Sequence, residues 1–105
     1  MAVPDAHPVT EGHTLVVPRK RVTTIYLLNA AEQNAIWALV AEVRERLLTG
    51  LKPDGFNIGF NDGLAAGQTV AHAHVHVIPL WNGDVPDPRG GIRWVIADTA
   101  PYWKK

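Results

Sequence analysis

The sequence predicts an α+β domain in which an antiparallel sheet packs one main helix on one face. Two observations predict the sheet: apolar residues alternate with other residue types over residues 70–79, and they do so again over residues 56–61. A third observation predicts the helix, since apolar residues recur every three to four positions between residues 30 and 50. With 105 residues the chain is large enough for one core, and we predict a single domain spanning residues 1–105.

The N-terminal part of the chain is predicted to be extended. Residues 1–11 contain two prolines, which favour extended or turning chain over helix. Residues 13–18 and 22–28 are apolar and rich in β-branched side chains, a composition that predicts two strands. The basic residues 19–21 form the turn predicted between them.

The main helix is predicted to begin after Asn29. Asn29 is a favourable N-cap residue, and Glu32 three positions on completes the pattern of a capping box. Gly50 is predicted to follow the last helical turn as the C′ residue. The side chains predicted to face the core are Ile36, Val40, Val43 and Leu47, with Trp37 and Leu48 at the margins.

Residues 56–61 predict a strand that pairs with the histidine-bearing segment through the loop 62–69. The alternation places Asn57 and Asn61 on the polar face of this strand, opposite its aromatic and aliphatic residues. If the two strands pair, both asparagines share a face with the histidines. Further along the chain, residues 92–96 predict a last short strand.

The loop before the histidines contains small and polar residues. Gly63 and Gly67 permit backbone conformations in which amide groups turn towards an anion, and Thr69 offers a hydroxyl group. We therefore expect this loop to contribute to an anion site.

Three of the five histidines, His72, His74 and His76, lie at strict spacing of two. The residues between and beside them are apolar, so a half-buried strand would place all three imidazoles on one face of the sheet. This row is the candidate functional site of the chain.

Three interpretations of the row are open. Two imidazoles could bind a metal ion with help from His13, Asp5 or Asp62, although the outer two Cα atoms of the row lie roughly 13 Å apart. Alternatively, the middle ring attacks phosphorus while a flanking ring about 7 Å along the strand donates a proton. The third interpretation is a row of exposed histidines with no function.

Composition limits the other classes of function. Ten basic and ten acidic residues cancel, so bulk charge predicts neither nucleic-acid binding nor membrane attachment. The chain has no cysteine, which excludes disulfides and thiolate metal sites. No apolar run approaches the length of a membrane span, and no signal sequence is evident, so we expect a cytoplasmic protein.

Residues 68–79 (Gln-Thr-Val-Ala-His-Ala-His-Val-His-Val-Ile-Pro) resemble the signature of the histidine triad (HIT) superfamily of nucleotide hydrolases and transferases. Residues 12–18 and 61–67 also resemble this family, and residues 83–91 are similar to bacterial members nearest its fragile-histidine-triad branch. Members of the bacterial type have a further N-terminal segment ahead of the position matched by residues 2–5. The resemblance therefore implies an N-terminally shortened chain, for which we expect weak discrimination among bases.

The resemblance implies cleavage at the α-phosphate of a nucleoside phosphate derivative through a nucleotidyl-histidine intermediate. The implied substrate is a dinucleoside polyphosphate or a nucleoside phosphoramidate, the implied assembly is a homodimer, and no cofactor is implied. The alternative is a non-catalytic nucleotide-binding or interaction module that retains the same fold.

The resemblance also implies roles for individual residues, and no metal ligand among them. His74 would attack the α-phosphorus, the carbonyl of His72 would orient the attacking ring, and His76 would bind phosphate and assist the leaving group. The remaining implied roles are a ribose contact for Asp5, a phosphate or ribose contact for Asn61, phosphate contacts for Gly67, Gln68 and Thr69, and support of His72 by His13.

Overall fold

The computed structural model describes residues 1–104, and Lys105 lies outside them. The chain forms a four-stranded antiparallel sheet and one long helix, so the predicted α+β fold is confirmed. The elements are β1 (Ala2–Pro4), β2 (Thr14–Val16), α1 (Ala30–Leu51), β3 (Gly55–Gly59) and β4 (Val75–Leu80), with short 3-10 turns at Ile25–Leu27, Leu64–Ala66 and Gly91–Val95.

The sheet has the order β1-β2-β4-β3, which places β4 between β2 and β3. The predicted pairing of β3 with the histidine-bearing strand is confirmed, with Gly59 opposite His76 and Ile58 opposite Val77. On the other side of β4, Leu15 of β2 also lies opposite His76. The central position of β4 holds its side chains in a fixed register on both sides.

Helix α1 begins as the sequence predicts. The Asn29 carboxamide oxygen accepts a hydrogen bond from the Glu32 amide at 2.8 Å, and the Glu32 carboxylate accepts one from the Asn29 amide at 2.9 Å. Both halves of the predicted capping box are therefore present.

The predicted end of the helix at Gly50 is wrong. The helix continues to Leu51, and Lys52 is the C-cap residue in a left-handed conformation with φ 53°. The amide of Lys52 donates to the carbonyl of Leu48 at 3.1 Å. Pro53 explains the shift, because a proline disfavours the right-handed helical conformation in the residue before it.

One face of α1 packs on the sheet and forms the core. The helix contributes Ile36, Val40 and Val43, which are buried as predicted, while Leu47 is half-buried against the same cluster. The sheet residues of this cluster include Val16, Val75 and Val77, each with no exposed surface. Burial of these aliphatic side chains is the main contribution that holds the helix on this face of the sheet.

Two of the predicted strands are wrong. Residues 22–28 contain a 3-10 turn at Ile25–Leu27, whose N-cap Thr24 accepts a hydrogen bond from the Tyr26 amide. Residues 92–96 lie mostly in the turn Gly91–Val95, which begins with two successive glycines, Gly90 at the N-cap with φ 91° and Gly91 with φ 38°. These positive φ values turn the chain away from the sheet, and the β-branched residues that suggested strands occupy turns instead.

Among residues 1–104, no helix combines the length and the apolar character that crossing a membrane requires.

Candidate active site

The histidine row lies partly in β4 and partly in the extended chain before it. Side-chain burial alternates without a break from residue 72 to residue 80, although β4 begins only at Val75. The Ala73 amide donates to the Val22 carbonyl at 2.8 Å and fixes the chain ahead of the strand. Because Ala73 and Val75 are buried, His72, His74 and His76 project from the face opposite the helix, as predicted.

The ring of His74 is oriented by the backbone. Its Nδ1 atom lies 2.9 Å from the carbonyl oxygen of His72. A carbonyl oxygen only accepts hydrogen bonds, so Nδ1 carries the proton in this contact. In the neutral ring Nε2 then keeps its lone pair, which gives His74 the tautomer that a nucleophile requires. The expected contact between the His72 carbonyl and the His74 ring is therefore confirmed.

The ring of His72 is held by the turn that follows β2. Its Nε2 atom donates to the carbonyl oxygen of Pro18 at 2.8 Å. His72 thus contacts its neighbours through both its side chain and its carbonyl oxygen. This arrangement favours a positioning role for His72 rather than a direct reaction with substrate.

His13 contacts the third histidine of the row. The Val9 amide donates to Nδ1 of His13 at 3.2 Å, so this nitrogen is an acceptor and the proton of the neutral ring resides on Nε2. His13 Nε2 lies 2.9 Å from Nδ1 of His76 and donates to it. The expectation that His13 supports His72 is wrong, because its partner is His76.

The hydrogen bonds leave His76 as a donor. Since its Nδ1 accepts from His13, the neutral ring of His76 carries its proton on Nε2. Burial lowers the pKa of His76, and the nearby rings of His74 and His13 lower it further. Burial also lowers the pKa of His13, against the opposing effect of Asp5. Both rings are therefore neutral near pH 7, and the Nε2–H group of His76 is a hydrogen-bond donor.

Asp5 lies beside these two rings. One carboxylate oxygen accepts a hydrogen bond from the His7 amide at 2.8 Å, and the other lies 3.4 Å from Nε2 of His13. The hydrogen bond from His7 lowers the pKa of Asp5, and His13 and His76 add smaller lowering effects. Asp5 is thus an anion at the edge of the histidine cluster.

Asp5, His13 and His76 are also the residues that could hold a metal ion, since their ligand atoms all lie within 4.8 Å of one another. Two zinc–nitrogen bonds of about 2.0–2.1 Å at a tetrahedral angle hold their nitrogens roughly 3.3 Å apart. The His13 and His76 nitrogens are 2.9 Å apart, a distance suited to a shared proton. A metal would have to displace that proton and separate the rings.

The loop before the histidines differs from the expectation. The Gln68 side chain accepts from the Gly63 amide at 2.9 Å and donates to the carbonyls of Thr23 at 2.9 Å and Val70 at 3.1 Å. The amides of Gln68 and Gly67 also donate within the loop, to the carbonyls of Gly63 and Leu64.

These internal hydrogen bonds commit the groups that were expected to face an anion. In this structure the amides of Gly63 and Gly67 donate within the loop, and both N–H groups of the Gln68 side chain are engaged by carbonyl oxygens, so the phosphate contacts of this loop stay a prediction. Gln68 instead fastens the loop. Thr69 is exposed and lines a cavity of about 350 Å³ with Thr23 and Thr24.

Asn61 lies at a different cavity, of about 450 Å³, together with Asn57, His13 and His76. In the strand ladder Gly59 lies opposite His76 and Asn57 opposite Ile78, so the alternation of β3 places both asparagines on the face of the histidines, as predicted. The structure brings Asp5, His13, His74, His76 and Asn61 into one region, whereas Gln68 and Thr69 line the separate cavity.

Sequence reasoning missed the backbone groups that orient the rings. The Val9 amide sets the tautomer of His13, and the Pro18 carbonyl anchors His72. Backbone groups are the same in every residue, so the sequence carries no signal for these contacts.

The fold and the site together define an α+β domain with a helix on one face of the sheet and a cluster of oriented imidazoles on the other. The chain belongs to the HIT family, since the model of the HIT domain matches residues 1–83. The resemblance inferred from the histidine motif is thus confirmed.

Among its relatives, the chain is similar to an AP-4-A phosphorylase of Mycobacterium tuberculosis, with 38% identity over 84 residues that cover 79% of this chain and 43% of the relative. It is 36% identical over 77 residues to an asymmetrical bis(5'-nucleosyl)-tetraphosphatase of Schizosaccharomyces pombe, covering 73% of this chain and 42% of that protein. Among solved structures, a hypothetical histidine triad nucleotide-binding protein from Sulfolobus tokodaii has a TM-score of 0.75 and 37% identity, covering 82% of this chain and 58% of the other. The chain spans about half the length of the curated relatives it matches.

Proposed function

We propose that this chain cleaves a nucleoside phosphate derivative at the α-phosphate through a nucleotidyl-histidine intermediate. The observation that supports this proposal most directly is that His74 and His76, two residues apart, are held in opposite tautomers. His74 keeps a lone pair on Nε2, while His76 keeps a proton on its own Nε2. The two ring centroids are 5.1 Å apart, close enough for both imidazoles to act on one phosphoryl group.

The proposed reaction has two steps, and His74 takes part in both. Nε2 of His74 attacks the α-phosphorus, the bond from phosphorus to the leaving group breaks with its electron pair on the leaving atom, and the Nε2–H group of His76 stabilises that charge through a hydrogen bond. Water then attacks the same phosphorus, the phosphorus–nitrogen bond to His74 breaks with its electron pair on Nε2, and the proton lost by the water passes to the leaving group. The products are a nucleoside monophosphate and the protonated leaving group.

Relatives named for dinucleoside tetraphosphate substrates support a nucleotide-processing activity, and they make a dinucleoside polyphosphate the first candidate substrate. A nucleoside phosphoramidate is the second. Within this proposal Asp5 contacts the ribose, Asn61 contacts ribose or phosphate, and the loop residues Gly67 and Thr69 approach the phosphate once the loop opens. Gln68 acts by holding that loop.

We also propose a homodimer. Within the described residues β3 is an edge strand, and an unpaired strand edge favours pairing with another chain. Light scattering coupled to size-exclusion chromatography measures the mass; a monomer at micromolar concentration would contradict this part of the proposal.

One observation favours a non-catalytic nucleotide-binding module as the second candidate. The amides of Gly63, Gly67 and Gln68 are engaged inside the loop, so no preformed anion site is present there. A module of this kind would bind nucleotide at the histidine cluster without turning it over.

The experiment is a comparison of wild type, His74→Ala and the control His7→Ala, whose exposed side chain lies outside the cluster. Each protein is incubated with diadenosine tetraphosphate or adenosine 5′-phosphoramidate, and adenosine monophosphate and protein mass are measured together. We expect product with wild type and His7→Ala, none with His74→Ala, and a nucleotidyl adduct on wild type at short times. Nucleotide binding without product in any protein would reject the enzyme and leave the binding module.

A further inference from the structure

The basic turn, residues 19–21, has no part in the proposed reaction. It consists of two arginines and a lysine, all exposed, and Thr23 follows Arg21 by two residues and is also exposed. Among the described residues, Thr23 takes part in side-chain hydrogen bonding only through its carbonyl oxygen. The hydroxyl of Thr24, by contrast, accepts a hydrogen bond from the Tyr26 amide at 3.3 Å. Thr23 thus offers an exposed hydroxyl group directly after a run of three cations.

Thr23 belongs to the segment that holds the histidine row in place. Residues 18–23 form neither helix nor strand, so they present an irregular chain at the surface. Three of their carbonyl oxygens accept hydrogen bonds from the histidine row or the loop before it: Pro18 from the His72 ring, Val22 from the Ala73 amide and Thr23 from the Gln68 side chain. A group added to the Thr23 side chain therefore lies next to the loop that precedes the histidines.

A cavity of about 350 Å³ adjoins Thr23 and leaves space for such a group. Thr69 of the same loop also lines it, and among the described residues of its lining the only charged side chain is that of Asp62. A phosphate group on Thr23 would carry a charge of about −1.5 to −2 at pH 7. It would add this charge to the side of the loop where Asp62 already lies.

We propose that Thr23 is a phosphorylation site for a protein kinase that selects basic residues ahead of its target hydroxyl, and that the phosphate lowers nucleotide binding at the histidine cluster. Kinases of this class recognise the charge pattern of the substrate through acidic side chains. The Thr23 oxygen attacks the γ-phosphorus of ATP, the bond from that phosphorus to the bridging oxygen breaks with its electron pair on ADP, and the hydroxyl proton passes to the base of the kinase. The effect on nucleotide binding rests on the proposed function, because it is a regulation of the same site.

Repulsion between anions is the expected cause of the weaker binding. The Gln68 side chain, which donates to the Thr23 carbonyl, belongs to the loop that the proposed function brings to the substrate phosphate. A phosphate on Thr23 and the substrate phosphate would then approach the same loop. Because salt screens exposed charges, the effect should shrink as the ionic strength rises. A loop that is merely distorted would show no such dependence.

The first measurement is the incorporation of phosphate into the full chain by ATP and the catalytic subunit of the cyclic-AMP-dependent protein kinase, followed by intact mass and peptide mapping. Thr23→Val removes the hydroxyl, whereas Thr24→Asn removes the neighbouring hydroxyl and keeps a residue that caps a turn. Arg21→Gln removes one cation of the basic turn, and Arg46→Gln, at an exposed arginine of α1, is its control. We expect one phosphate on wild type, Thr24→Asn and Arg46→Gln, none on Thr23→Val, and a rate roughly tenfold lower for Arg21→Gln.

The second measurement compares phosphorylated with unmodified protein. The KM for adenosine 5′-phosphoramidate and the Kd for adenosine monophosphate are determined at low ionic strength and in about 1 M salt. We expect phosphorylation to raise both constants by roughly tenfold at low ionic strength and by less than about threefold in high salt. Thr23→Val, treated with the same kinase, should keep the constants of the unmodified protein.

The outcomes separate the two proposals. Turnover of no substrate by unmodified protein rejects the proposed enzyme, and the Kd for adenosine monophosphate still tests the regulation. No phosphate on wild type, or as much on Thr23→Val as on wild type, overturns the phosphorylation site whether or not the enzyme is active. Phosphate on Thr23 that leaves KM and Kd unchanged, or changes them equally at both salt concentrations, overturns the regulation.

Discussion

Replacement of Gln68 by Leu tests whether this side chain fastens the loop or binds the substrate. Leu removes three hydrogen bonds, one accepted from Gly63 and two donated to the carbonyls of Thr23 and Val70. At about 1 kcal/mol net for each bond, the sum is roughly 3 kcal/mol. The side chain is only half-buried, so water can replace some of these hydrogen bonds in the variant. We therefore expect the free energy of unfolding to fall by about 1.5 kcal/mol.

For a domain of this size such a loss lowers Tm by about 6–9 °C, which thermal unfolding followed by circular dichroism resolves easily. Gln33→Leu is the control, since the Gln33 side chain donates a single hydrogen bond to the Leu28 carbonyl at 3.0 Å and should cost less. An unchanged Tm for Gln68→Leu together with a large rise in KM would refute this reasoning. It would then favour the phosphate contact that the resemblance implies.

Two further predictions concern stability. The folded-state pKa values of His13 and His76 are lowered from 6.5, so the unfolded chain binds more protons as pH falls below that value, and the urea midpoint should drop between about pH 7 and pH 5. The pKa of Asp5 is lowered from 3.8, so Asp5 changes the stability only below that pH, outside this window. A urea midpoint that does not change between pH 7 and pH 5 would contradict the burial of the two rings. Asn29→Ala should cost about 1 kcal/mol by removing the helix cap, and a denaturant midpoint equal to that of wild type would show that the capping box does not contribute.

The parts of the fold that the sequence predicts well depend on local or periodic signals. The capping box joins Asn29 and Glu32, three residues apart, so its partners can be read directly from the sequence. The histidine row follows the period of two in an extended chain, and burial keeps this period even at His72, ahead of the hydrogen-bonded strand. The side-chain pattern is set by the extended backbone rather than by the ladder of hydrogen bonds.

The predictions that fail depend on contacts distant in sequence or on competition between local signals. Residues 22–28 have the composition of a strand, but the cap at Thr24 begins a turn instead. The partner of His13 is His76, 63 residues away, and periodicity cannot identify it. Gln68 belongs to a recognisable motif, but the motif does not show that its side-chain amide is engaged. The carbonyl of Thr23, 45 residues earlier, accepts one of its N–H groups.

His74 and His76 have different proposed roles because their Nδ1 atoms contact different groups. At His74 the partner is a carbonyl oxygen, which requires a proton on Nδ1 and leaves Nε2 with a lone pair. At His76 the partner is the Nε2–H group of His13, itself fixed because the Val9 amide occupies the other nitrogen of that ring. One residue type thus supplies both an acceptor and a donor at the same pH. The backbone makes this assignment before any substrate binds, so neither ring has to change its tautomer in the first step of the proposed reaction.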